Sequence, residues 1–212
     1  MKNNLTSLLS LFMFLFFLVA AGSPDRLGRY VSKFEKIQMD VQSAKGDQPK
    51  LDVLENGFQI FLTLSKNDRS DFIAQAFAGA LASQRSLYIA NLGDKAKNVK
   101  EAIPLLDDAV RDAKLSSNNA ELLQTLRIRA ETYCSLPIFF NKREIAIQDS
   151  QAALELGTKL KLTHERMYSL KQLRVRTLRN AIKPAKSGKS ENLNSLHEEE
   201  LRAAEKALDE AK

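Results

Sequence analysis

The stretch LLQTLRIRAETYCSLPIFFNKREIAIQDSQAALELG, residues 122–157, decides how the whole chain is read. Leu126, Ala130 and Tyr133 recur at the spacing of four and three that stacks side chains on one face of a helix. Beyond a proline-bearing turn, Ala146 and Ala153 stand about two turns apart on a second helix. Asn118, followed three residues later by Glu121, gives a capping box for the first of these helices, which runs to Ser135. The second spans about 141–156, and Gly157 is expected to close it in the left-handed conformation that glycine adopts past a helix end.

The same pattern extends in both directions. Leu27, Tyr30, Val31, Phe34, Ile37 and Val41 form an amphipathic face that Gly46 ends. A second helix runs from about Pro49 to Leu64, with Leu51, Leu54, Phe58, Phe61 and Leu62 on one side and Gly57 as its weak position. A third covers about 71–92, capped by Ser70 and stopped by Gly93, and its Ala76, Gly79, Ala80 and Ala82 leave room for a close neighbour. A fourth spans about 97–114. After residue 157, Thr163 caps a helix that reaches Ile182, a polar loop follows near 183–192, and Ser195 with Glu198 opens a last helix to Lys212. No stretch alternates with period two. The fold class is therefore all-α, about eight helices arranged as an array of antiparallel helix pairs.

An internal correspondence supports the pairing. Ala102, Ile103, Ala109 and Val110 recur 44 residues later as Ala146, Ile147, Ala153 and Leu154, and the same offset places Arg85 over Arg129 and Ile89 over Tyr133. Residues 122–157 resemble a tetratricopeptide repeat (TPR): Leu126, Ala130 and Tyr133 match its first helix, Ala146 and Ala153 the small residues of its second. The likeness covers residues 71–158 and, more weakly, 163–212. It departs from that family in period, about 34 residues there, the excess falling at 135–141, and in lacking the family's Trp, Gly and Pro marks. HEAT-like helix pairs stay open beside it. The resemblance implies a TPR-like α-solenoid over 67–212, preceded by an N-terminal helical pair at 23–66. With Ala130 as the small packing position, it implies a binding groove lined by Gln124, Arg127 and Glu131, and Thr177 in the same role adds Lys171 and Arg174.

Residues 1–22, MKNNLTSLLSLFMFLFFLVAAG, carry one charge at Lys2 and an apolar run from Leu8 to Ala21 interrupted only by Ser10. That is the pattern of a secretory signal peptide, with cleavage expected after Ala21 or Gly22. An uncleaved anchor is the rival, but the run is short of the ~20 apolar residues a spanning helix needs. The expected location is periplasmic or secreted. In an oxidising compartment a lone reactive thiol is a hazard, so Cys134, on an apolar helix face, is read as a small core residue.

Composition narrows the function classes. With 44% apolar and 27% charged residues a packed core is affordable, while one Cys and two His leave little for a metal centre. No phosphate-binding glycine loop, dinucleotide fingerprint, zinc-protease motif, nucleophile elbow or calcium loop occurs. His164 and His197 are read as solvated. The acidic pair Asp107-Asp108 and the run Glu198-Glu199-Glu200 point in diverging directions and form no catalytic dyad. No catalytic residue, metal or cofactor is assigned.

Residues 159–189 hold ten Lys and Arg against the single acid Glu165, a net +9 in a chain whose total is +6. Such a segment suits an acidic or carboxylate-bearing peptide. Nucleic acid is a poor partner for an exported chain, and an anionic membrane surface is less favoured than a protein. Arg174, set among Met167, Leu170, Leu178 and Ala181, is read either as a groove residue or as the partner of an acid on a neighbouring helix. Ile138, Phe139 and Phe140, beside Leu136 and Pro137, are expected to pack at a helix corner; an exposed apolar contact for a partner is the sharper alternative. Taken together, these features suggest an exported, non-enzymatic protein–protein interaction scaffold. A small-ligand or cell-envelope binding helical domain is the alternative, and an enzyme without a recognisable motif stands third.

Overall fold

The computed structural model describes residues 24–182 and 191–211, so the signal segment at 1–22 and most of the polar loop at 183–192 lie outside the described residues. The described chain is all-α, with no strand. Its helices are α1 (Pro24–Ser43), α2 (Asp47–Asn67), α3 (Phe72–Arg85), α4 (Leu92–Leu115), α5 (Asn119–Ser135), α6 (Arg143–Lys159), α7 (His164–Ile182) and α8 (Glu191–Asp209). A 3-10 turn, Ile138–Phe140, links α5 to α6. No described helix is long and apolar enough to cross a membrane. The chain divides into two compact units, and the division falls within α5, between Arg129 and Ala130.

In the first unit α1 packs on α2 and α3, α2 on α3, and α3 on α4. Short connections between sequence neighbours give antiparallel pairs. Every residue of the expected α1 face is buried: Leu27, Tyr30, Val31, Phe34, Ile37 and Val41. The core centres on Phe77, whose ring lies 4.8 Å from that of Phe34 and 5.1 Å from that of Phe61. Two glycines set how closely these helices approach. A Cβ on Gly57 would stand 2.8 Å from Ile37 Cδ1, and one on Gly79 would stand 2.7 Å from Leu106 Cγ. The position that looked weak by helix propensity is therefore a crossing point, and the small-residue face of α3 is buried as expected.

Two helix limits differ from the expectation. Helix α3 ends at Arg85, and α4 begins at Leu92 because the Asn91 side chain accepts from Gly93 N at 2.7 Å and Asp94 N at 3.3 Å. Gly93 thus lies in a first turn and terminates nothing. Asp71, not Ser70, caps α3: its Oδ1 accepts from Ala74 N at 3.0 Å while Oδ2 accepts from the Tyr30 hydroxyl. Asn118 does cap α5, accepting from Ala120 N at 3.2 Å and Glu121 N at 3.3 Å, but the Glu121 carboxylate turns to Arg26 and completes no capping box.

In the second unit α6 packs on α7 and α7 on α8. Ala146, Ile147 and Ala153 are buried, and Ser150 Oγ meets Thr177 Oγ1 at 2.9 Å across the α6–α7 contact. Gly157 does not close α6. It lies inside the helix, where a Cβ would stand 2.6 Å from Leu170 Cδ1, and the left-handed residue of the connection is Lys161, with φ 51°. The last helix starts at Glu191, so Ser195 and Glu198 lie within it and do not open it.

Candidate functional site

The spacing Glu144, Gln148, Gln151, Glu155 places four polar side chains on one face of α6. They form one wall of a cleft of about 350 Å³ that Arg174 of α7 and His197 and Glu200 of α8 also line. That volume lies within the range of small-molecule and side-chain pockets. The cleft is polar on all three helices, with Ile147 and Ala152 as its apolar part.

Arg174 organises it. Its side chain is 10% exposed; Nη1 donates to the Ile147 carbonyl at 2.7 Å, and Nη2 donates to Glu200 Oε2 at 2.5 Å. Burial pulls the guanidinium below the ordinary arginine pKa, and the charges of Glu200 and Glu144 oppose that shift. His197, whose side chain is 12% exposed, lies with Nε2 3.3 Å from Glu144 Oε2. Its Nδ1 is buried with no hydrogen-bond partner among the described residues. At the far end of the wall Gln151 Nε2 donates to Glu155 Oε1 at 2.9 Å. The lining holds three carboxylates, Glu144, Glu155 and Glu200, against one permanent cation, Arg174, and that cation is already paired. The cleft is acidic.

This corrects the expected groove. Gln124, Arg127 and Glu131 are buried, Arg127 to 1% exposure, and Arg127 Nη1 donates to Gln124 Oε1 at 3.3 Å. The reason is that α5 is buried nearly all round: Leu123, Leu126, Ile128, Ala130, Tyr133 and Cys134 leave no wet face for its polar residues to share. Arg174 is buried among its partners, and Lys171 Nζ donates to the Ala207 carbonyl at 3.1 Å. Of the five groove residues the structure brings only Arg174 to the cleft. His164 is exposed as expected, whereas His197 is not solvated but enclosed.

The Arg174 arrangement has a counterpart in the first unit. Arg85 pairs with Glu55 and Glu101 and lies over the Phe58 ring, 4.3 Å from its centroid. Eighty-nine positions separate Arg85 from Arg174, Glu55 from Glu144, Gly57 from Ala146, Phe58 from Ile147 and Leu81 from Leu170. The α2–α3 and α6–α7 hairpins thus each bury an arginine against a carboxylate of the following helix, Glu101 and Glu200; on the preceding helix Arg85 pairs with Glu55, whereas Arg174 bonds the Ile147 carbonyl. This offset, twice 44 with one residue added, is carried by the sequence itself.

The apolar turn also differs from the expectation. Leu136 is buried, but Ile138 is 54% and Phe139 72% exposed, and Phe140 is half-buried with its ring 4.5 Å from that of Phe139. Asn141, at φ 53°, turns the chain into α6 and leaves the two side chains outside the helix corner. Cys134 is buried as expected. Its thiol donates to the Glu131 carbonyl at 3.2 Å, and burial pushes its pKa up to about 12, which disarms it as a nucleophile. No family model matches this chain, and no curated protein or solved structure matches it either.

Proposed function

We propose that the chain is an exported, non-enzymatic binding scaffold of TPR-like helix pairs that engages a protein partner through the turn at Ile138–Phe140. The observation that carries this reading is the exposure of Ile138 and Phe139 on a short 3-10 turn whose flanking residue Leu136 is buried, so two large apolar side chains are held in water by an anchored backbone. Exposed aromatic and branched residues on a rigid support are the material of interface hot spots. A TPR-like assignment is supported by small residues at the helix crossings, Gly79 against Leu106 and Gly157 against Leu170, and by packing between sequence neighbours. The partner chemistry is apolar rather than acidic, because Arg127 and Arg174 are buried and Lys171 is bonded within the fold.

The test is capture of envelope proteins by the wild type and by an Ile138→Asp, Phe139→Asp variant, with thermal melts of both. An unchanged melt with loss of a specific captured protein supports the reading; equal capture removes the turn as the contact. Export rests on residues 1–22, and N-terminal sequencing of the secreted or envelope fraction should find Gly22 or Ser23 first.

A further inference from the structure

We propose that α8 is a displaceable strap that occupies, as an internal ligand, a basic face of α7 suited to an acidic amphipathic helix of a partner. The inference goes beyond the apolar turn and makes no use of it. Helix α8 stands to α7 as α4 stands to α3, since Arg85 and Arg174 hold equivalent places and each pairs with a carboxylate of the next helix, Glu101 or Glu200. The two following helices are held differently. Helix α4 buries Val99, Ala102, Leu106, Ala109, Val110 and Ala113, with Leu106 seated against Gly79. Over residues 196–211 only Ala211, just past the end of α8, is buried, and Leu201, Ala204 and Leu208, a stripe at the spacing of three and four, are half-buried.

Charge supplies what apolar burial does not. Helix α7 carries five Lys and Arg against Glu165, a net +4, and α8 carries six acids against Arg202 and Lys206, a net −4. Helix α4, with five residues of each sign, has no such match to its neighbour. Across the α7–α8 contact Arg174 Nη2 donates to Glu200 Oε2 at 2.5 Å, Arg179 Nε and Nη2 donate to Glu205 Oε1 at 3.0 and 2.7 Å, and Lys171 Nζ donates to the Ala207 carbonyl at 3.1 Å. Arg179 and Glu200 are exposed, so salt screens these ties and each contributes little alone. An element with few buried contacts and wet polar ties opens locally before the rest of the fold. When α8 lifts, Lys171, Arg174 and Arg179 are freed along one side of α7. The ligand that side takes is written in α8 itself: a helix with an apolar stripe and carboxylates five residues apart, Glu200 and Glu205, each meeting an arginine.

Hydrogen exchange of the purified chain tests the strap. Raising salt from about 0.05 M to about 0.5 M should speed exchange of residues 196–209 about 5- to 30-fold and leave α4 and α6 unchanged. Arg179→Glu alone should also speed it, and Arg179→Glu with Glu205→Arg, which restores the pair in reverse, should slow it again. A fluorescent peptide of residues 191–212 tests the face. It should bind the wild type weakly, because the tethered α8 competes at high effective concentration, and bind a Glu200→Lys, Glu205→Lys variant at least about 5-fold more tightly. Exchange in α4 and α6 reports whether that variant keeps its fold, and a shuffled peptide of the same composition should bind neither protein. Exchange of α8 in step with α6 at every salt concentration, no recovery in the reversed pair, no peptide binding by the opened variant, or equal binding of the shuffled peptide would overturn the proposal.

Discussion

Arg174 joins three helices: from α7 it donates to the Ile147 carbonyl of α6 at 2.7 Å and to the Glu200 carboxylate of α8 at 2.5 Å. A side chain with the sequence marks of a ligand contact is thus a tie between structural elements. Removing it leaves a buried carbonyl and a half-exposed carboxylate without their donor.

Arg174→Ala is therefore expected to destabilise the second unit by about 1–3 kcal/mol, with solvation of Glu200 holding the cost toward the lower end. Arg127→Glu combined with Arg174→Glu, which a solvent-facing groove would tolerate, is expected to lose cooperative unfolding altogether, because both positions bury a charge. Chemical denaturation followed by circular dichroism measures both; a folded double variant would return these arginines to the surface.

Gly79→Ala and Gly157→Ala set helix propensity against packing. Alanine gains about 1 kcal/mol in a helix interior, but the added methyl would meet Leu106 Cγ at 2.7 Å or Leu170 Cδ1 at 2.6 Å. Overpacking of this kind costs about 1–3 kcal/mol, so both variants should melt below the wild type. A rise in melting temperature for either would show that the facing leucine moves aside freely.

Ala146→Leu and Ala153→Leu test the repeat positions themselves. Both alanines are buried in α6, and each substitution is expected to cost about 1–3 kcal/mol in a thermal melt. Wild-type melting temperatures for both would detach these residues from the helix contact.

Alkaline stability should fall in two windows. The Tyr30 hydroxyl, buried and bonded to Asp71, has its pKa raised from 10.0 to about 12, and burial raises that of Cys134 from 9.0 to about 12. In each case the folded state holds its proton more tightly than the unfolded chain. The stabilisation is complete below the unfolded pKa and is lost as pH rises toward the folded one. Denaturant midpoints should thus decline from about pH 9, more steeply above pH 10, and Tyr30→Phe should flatten the upper part. At pH 8 the native thiol should resist a disulfide reagent that labels the unfolded chain at once.

What the sequence determined by itself was the set of helices and their inward faces. The α1 face, the small-residue face of α3, the Asn118 cap and the burial of Cys134 all follow from 3.6-residue periodicity and local hydrogen bonding, which act over one or two turns and leave their mark in neighbouring residues. Glycine was ambiguous at this level. Gly93 and Gly157 read as terminators, yet one sits in a first turn fixed by Asn91 and the other at a crossing fixed by Leu170. The tertiary structure decided everything that depends on distant partners. Arg174 turned inward because Glu200, 26 residues away, meets it across α7 and α8. Arg127 was enclosed because α5 is buried nearly all round, and Ile138 and Phe139 stayed out because a left-handed Asn141 turns the chain past them. The stripe Glu144, Gln148, Gln151, Glu155 was legible as a polar face, but it becomes a cleft only where α7 and α8 supply the other walls. Periodicity says which side of a helix is wet; only packing says what else reaches that water.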